Sequence, residues 1–171
     1  MDSCRTASLK PGHALRWLRV ASAAALLCAC AVAPLPQDQV VTLAPGQGLA
    51  AVMIDTLDPL SLVTFEQPGG GAKLVVATAP AGINIYLFPT RAGRYCMTRF
   101  QFASFDFSAR AGAECFQVSA GQLSYSGTLA PRVEEGRPVT HQVMDQQGFR
   151  VLLGERYPTV AKQFPPPPPA E

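Results

Sequence analysis

Gly93-Arg-Tyr-Cys-Met-Thr-Arg-Phe-Gln-Phe102 is the stretch whose reading decides the fold class. As a strand it places Arg94, Cys96, Thr98, Phe100 and Phe102 on one face and Tyr95, Met97, Arg99 and Gln101 on the other. Ala103-Ser104 interrupts the alternation, because Phe105 and Phe107 continue on the opposite parity; a bulge or turn is expected there.

Shorter runs rich in β-branched and aromatic residues lie to either side. Upstream are Val40–Leu43, Leu49–Leu57, Leu60–Glu66, Lys73–Thr78 and Ile83–Phe88. They are separated by Ala44-Pro-Gly-Gln-Gly48, Asp58-Pro59, Pro68-Gly-Gly-Gly71 and Ala79-Pro-Ala-Gly82. Downstream, Glu114–Val118 and Leu123–Leu129 are joined through Ser119-Ala-Gly-Gln122, where Ala120-Gly121 suits a two-residue hairpin. Short strands at this spacing predict a mostly β chain forming a single antiparallel β-sandwich over residues 40–131. Beyond Pro131 the pattern changes. Residues 132–138 read as a charged loop, and Val139, Val143, Phe149, Leu152, Leu153, Tyr157 and Val160 follow a mostly helical spacing. Asp145 is the expected N-cap and Pro158 the expected end of a C-terminal α-helix, so residues 132–163 form a loop and a helix packed on the domain. Phe164 opens a polyproline tail over 164–171, whose readings are a spacer, a ligand for a proline-reading groove or, ahead of both, a solvated end.

The N-terminus has a different character. Met1–Arg19 is basic, and Val20–Ala29 is an apolar run of ten residues. Ten helical residues rise only ~15 Å, half of a bilayer's hydrocarbon thickness, so the run fits the core of a signal peptide (residues 1–29) and not a membrane span. Leu27-Cys28-Ala29-Cys30 resembles a bacterial lipobox: an aliphatic residue, a variable one, a small one, then the cysteine that takes the lipid. Cleavage before Cys30 makes it the expected lipidation site, with residues 30–39 as a proline-held spacer. Plain secretion at Ala29-Cys30-Ala31 or Ala31-Val32-Ala33 is the competing reading. By that resemblance the three chains of a bacterial lipoprotein hold the protein in the membrane more firmly than one chain can. Ala31 stands where such lipoproteins carry Asp for inner-membrane retention. The resemblance therefore implies an outer-membrane location facing the periplasm.

The proposed cleavage also decides the charge argument. The whole chain is formally +2, but Arg5, Lys10, Arg16 and Arg19 precede Cys30; the remainder carries 10 basic and 11 acidic side chains. That leaves no electrostatic footprint for nucleic acid. Of five cysteines, Cys4 and Cys28 leave with the leader and Cys30 takes lipid. Cys96 and Cys115 remain as an even pair, expected to be a disulfide in an oxidising compartment.

Motifs for chemistry are sparse. Pro68-Gly-Gly-Gly-Ala-Lys73 has the glycines of a phosphate loop, but the lysine leads into Leu-Val-Val rather than a Ser/Thr and a helix, so a hairpin loop is expected. A zinc site needs more ligands than the pair of cysteines and His141 supply, and Cys-x-x-Cys is missing; no metal or cofactor is expected. No Gly-x-Ser-x-Gly elbow accompanies His141, and Asp55, Asp58 and Glu66 are scattered. Phe100, Phe102, Phe105, Phe107, Phe116, Tyr86, Tyr95 and Tyr125 read as core rather than as a stacking platform. Arg91, Arg94, Arg99 and Arg110 read as a solvated face.

Cys115-Phe-Gln-Val-Ser-Ala-Gly-Gln-Leu-Ser-Tyr-Ser-Gly-Thr-Leu129 adds a family likeness. Phe116, Val118, Ala120, Gly121, Tyr125 and Gly127 match a pattern in small proteobacterial lipoproteins, and the chain is similar to those with the domain of unknown function 2846. The resemblance implies a prealbumin-like or immunoglobulin-like sandwich in the cell envelope and brings no catalytic residue. The expectation is therefore a non-catalytic, lipid-anchored envelope module that binds a protein or glycan partner or serves a structural role. The alternative is an envelope hydrolase with its site near His141.

Overall fold

The computed structural model describes residues 31–108 and 114–165. The leader, the lipobox cysteine Cys30 and the tail beyond Pro165 lie outside the described residues. In chain order the elements are β1 (Ala31–Val32), β2 (Gln47–Thr56), β3 (Leu60–Glu66), β4 (Lys73–Val76), β5 (Gly82–Arg91) and β6 (Gly93–Phe102). There follow β7 (Phe105–Ser108), β8 (Cys115–Val118), β9 (Leu123–Glu134), β10 (Arg137–Val143), α1 (Gln146–Arg156) and α2 (Pro158–Gln163).

Two sheets and a helical layer result. Sheet A runs β1-β4-β3-β6-β7, with β8 on the same edge of β6; sheet B runs β10-β9-β2-β5. Between them lies a core built on Val52, Ile54, Val63, Phe65, Leu74, Phe88, Tyr95, Met97, Phe100 and Phe116. A second core, with Leu49, Ala51, Met53, Ile85 and Leu87, joins the outer face of sheet B to Phe149, Leu153, Tyr157 and Val160 of the helices. β2 is thus buried on both faces, which is why Leu-Ala-Ala-Val-Met-Ile reads as a continuous apolar run instead of alternating. The mostly β architecture with two sheets and a short C-terminal helix agrees with the sequence.

Several expectations are corrected. The sheets are mixed, not purely antiparallel: β2 pairs with β9 in parallel, as does β1 with β4. Ala120-Gly121 does not close a hairpin, because β8 belongs to sheet A and β9 to sheet B; the turn carries the chain between layers. The charged loop at 132–138 is a β-hairpin. Glu134 pairs with Arg137, and Glu135 and Gly136 both sit at positive φ (49° and 75°), the geometry of a two-residue turn matched to strand twist. The sandwich accordingly continues to Val143. Pro158 starts α2 instead of only ending a helix, since a first-turn position needs no amide donor. Val40–Leu43 is not a strand: the side-chain amide of Gln163 takes the place of a neighbour, accepting from Val41 N at 2.9 Å and donating to Val41 O at 2.6 Å.

β6 is a strand over its expected range, but its faces change register earlier than the alternation indicated. Thr64 faces Arg99 while Phe65 faces Met97, so Thr98 is an extra residue on β6. This bulge lets Tyr95 and Met97 before it, and Phe100 after it, all enter the core. Ala103-Ser104 is the turn, with Phe102 and Phe105 paired across it.

The spacer, described from Ala31 onward, is docked, not free. Leu35 N donates to Leu87 O at 2.7 Å, and the Asp38 carboxylate accepts from the amides of Thr159 and Val160 at 3.0–3.2 Å, capping α2. Partial burial raises the Asp38 pKa, but the hydrogen bonds from Thr159 and Val160 together with nearby Lys162 outweigh it, and the net shift is below the ordinary 3.8. A depressed folded-state pKa means stability present above pH 3.8 and lost as pH falls through the folded value. Asp38→Asn is therefore expected to flatten the fall of the melting temperature below pH 3.8 relative to wild type; parallel pH profiles would show that the cap contributes no linkage.

Candidate functional site

Strand register determines what α1 leaves uncovered. On the outer face of sheet B, Val143, Thr128, Met53 and Ile85 lie in one row and His141, Ala130, Asp55 and Ile83 in the next. α1 crosses this face with Phe149 and Leu153 buried beneath it, and Tyr125 stacks on Phe149 with ring centroids 4.2 Å apart. Asp145 fixes its start, its Oδ1 accepting from Gly148 N at 2.8 Å, as the sequence predicted. Gln147, Val151 and Glu155, spaced four apart, then look along one flank of the helix.

The flank and the uncovered rows enclose a cleft of about 630 Å³, lined by Met53, Asp55, Ile83, Thr128, Ala130, Val143, Asp145, Val151, Leu152 and Glu155 among others. Ile83, Val143 and Val151 are 53%, 58% and 56% exposed, so its walls are apolar side chains left in water. The volume falls in the range of small-ligand sites. Arg132 of β9 lies outside this lining and holds Asp55 from beside it, its guanidinium donating to Asp55 O at 2.7 Å and Oδ2 at 3.3 Å. A second cleft of about 510 Å³ shares Ile83 and Leu152 with the first and is closed by Pro34–Asp38. At the end of the sheets next to Asp55 a smaller one, about 180 Å³, lies between Leu57, Phe102 and Val133 and takes in Arg132.

The residues singled out from the sequence fall in different places. Cys96 and Cys115 are bonded, as direct cross-strand partners of β6 and β8 with Cα atoms 4.0 Å apart. Cys30 lies outside the described residues. His141 stands exposed on β10 with its Nε2 2.9 Å from Glu134 Oε1. No serine joins them in the described hydrogen bonds. Burial raises the pKa of Glu114, a rise that the charge of nearby His141 opposes. Asp55 pairs with Arg132 and Glu66 with Lys73, on different sheets, so the acids do not meet as a glycosidase pair. Phe100, Phe116 and Tyr95 are core, while Phe105 is 60% exposed and stacks on Phe107 at the β7 edge. Arg99 pairs with Asp106 through two hydrogen bonds, away from Arg91 and Arg94; Arg110 lies outside the described residues.

The resemblance motif serves packing. Phe116 and Val118 are core, Gly121 N donates to Gln47 O at 2.7 Å, and Tyr125 carries Phe149. Gly127 forms the bulge opposite Val52 at φ 79°, where a Cβ would lie 2.8 Å from Met144 Sδ. The cleft residues Ile83, Val143 and Val151 gave no sequence signal as a group, because they come from three separate elements. Among the described residues no cluster of His, Cys, Asp and Glu suits a metal ion, and no helix is long and apolar enough to cross a membrane. No family model matches the chain, and no match was found among curated proteins or solved structures.

Proposed function

We propose that this chain is a lipid-anchored, non-catalytic envelope module of the kind found in small proteobacterial lipoproteins, with an immunoglobulin-like or prealbumin-like sandwich. Its binding surface is the cleft between α1 and sheet B. The observation that carries the binding reading is the group of exposed apolar side chains Ile83, Val143 and Val151, from three elements, around a buried Met53 floor. Such a surface suits an apolar ligand or the apolar side chains of a partner segment, with Asp55 and Glu155 at the rim to orient a cationic or hydrogen-bonding group. A hydrolytic site at His141 would need a nucleophile beside the base, and its imidazole meets only the Glu134 carboxylate in the described hydrogen bonds.

The uncharged fluorescent apolar probe N-phenyl-1-naphthylamine tests the cleft. Wild-type protein is expected to bind it saturably, and Val151→Glu to weaken binding about ten-fold by placing a charge against an apolar probe, a loss of more than ~1 kcal/mol. Saturable binding unchanged in Val151→Glu and in Ile83→Glu would exclude the cleft as the site.

A further inference from the structure

Ala31, the first described residue, is already part of the fold. It pairs in parallel with Lys73, and Val32 with Leu74; Val32 also packs on the inter-sheet core. Leu35, Asp38 and Val41 then tie the following segment to β5 and α2. Consecutive Cα atoms are only ~3.8 Å apart, so a lipid on Cys30 would begin one residue from sheet A with no free tether between. We infer, on the reading that Cys30 carries lipid, that the domain rests directly on the bilayer. The Lys73 end of the sandwich then faces an anionic phospholipid surface.

Charge supports this independently of the chain path. Four connections meet at this end: 44–47, 67–72, 91–94 and 119–122. Ala92 N donates to Gly46 O, Gly121 N to Gln47 O, and Gln67 Nε2 to Ala92 O. They carry exposed Arg91 and Arg94 and no carboxylate, with Lys73 beside them paired to Glu66 at 2.8 Å. Counted likewise with their adjoining strand residues, the connections at the opposite end, 56–60, 76–82, 102–105 and 134–137, carry Asp58, Glu134 and Glu135 against the single cation Arg137. A chain that is net acidic after Cys30 thus concentrates cations where the anchor enters. Each cation near an anionic leaflet strengthens attraction about five-fold, and the acidic end is repelled. Asp55 and Ile83, near the far ends of their strands, would hold the cleft away from the lipid.

The only tryptophan is Trp17, in the leader, so an introduced one reports alone after processing. Ala92→Trp and Leu57→Trp, both at exposed positions of opposite ends, are placed separately in the full lipidated protein. Each is reconstituted in phosphatidylcholine–phosphatidylglycerol vesicles with brominated acyl chains. Quenching several-fold stronger at position 92 than at 57 is expected, and the gap should narrow without phosphatidylglycerol or in Arg91→Gln/Arg94→Gln. Equal quenching, or stronger quenching at 57, in protein whose mass shows the lipid overturns the orientation alone. A gap indifferent to phosphatidylglycerol and to both arginines overturns the anionic surface. Protein without lipid in the same mass measurement overturns the anchoring reading and this inference with it.

Discussion

Phe149→Ala is expected to destabilise the domain by about 3–5 kcal/mol, the range for removing a buried aromatic side chain. Phe149 is 1% exposed, stacks on Tyr125 and is the largest buried side chain that α1 places on sheet B. Its loss leaves Leu153 and Tyr157 to hold a helix whose exposed Gly154 already lowers its intrinsic propensity. The effect reaches beyond stability, because α1 forms one wall of the cleft. Chemical denaturation would show the lower midpoint, and hydrogen exchange would show α1 amides opening before those of β2. An unfolding free energy within about 1 kcal/mol of wild type would mean that the helix is not an integral third layer.

Cys96→Ser combined with Cys115→Ser should remove about 3 kcal/mol, the chain-entropy value for a bridge between residues 19 apart. The double substitution avoids a lone thiol. β8 has four residues and is held in sheet A by its pairing with Gly93–Cys96, so the bridge fixes a short edge segment as well as restricting the unfolded chain. Wild type under reducing conditions should approach the stability of the double variant. Equal stability of oxidised wild type and the variant would remove the bridge from the energetics of the fold.

The strands whose two sides differ in environment, or whose ends carry glycine or proline, were legible. β3 and β6 were predicted over their observed ranges because Asp58-Pro59, Pro68-Gly-Gly-Gly71 and Gly93 mark their limits. β10 was missed for a physical reason. It is an exposed edge strand whose Val139 and Val143 stand four apart, the spacing of a helix face, and Glu135-Gly136 is a weaker turn signal than Asn-Gly. The bulge at Thr98 was invisible as well, since it depends on the register against Thr64 and Phe65, not on a local residue type. The disulfide followed from compartment and parity. The cleft did not, because α1, β5 and β10 are brought together only by the order of sheet B.

The docked segment after Ala31 changes what the lipobox reading implies. An extended proline spacer would let the domain stand off the membrane. Pairing with Lys73, the Leu35–Leu87 hydrogen bond and the Asp38 cap leave it no such slack. Anchor and fold are then adjacent parts of one mechanical unit. Intact-mass spectrometry of the protein extracted from membranes, for wild type and Cys30→Ser, tests the anchoring at the root of this account most directly. The wild-type chain should begin at Cys30 with the added mass of its acyl chains, and Cys30→Ser should lose that mass and leave the membrane fraction. A wild-type chain with an unmodified Cys30, or an unchanged mass and membrane fractionation in the variant, would contradict it.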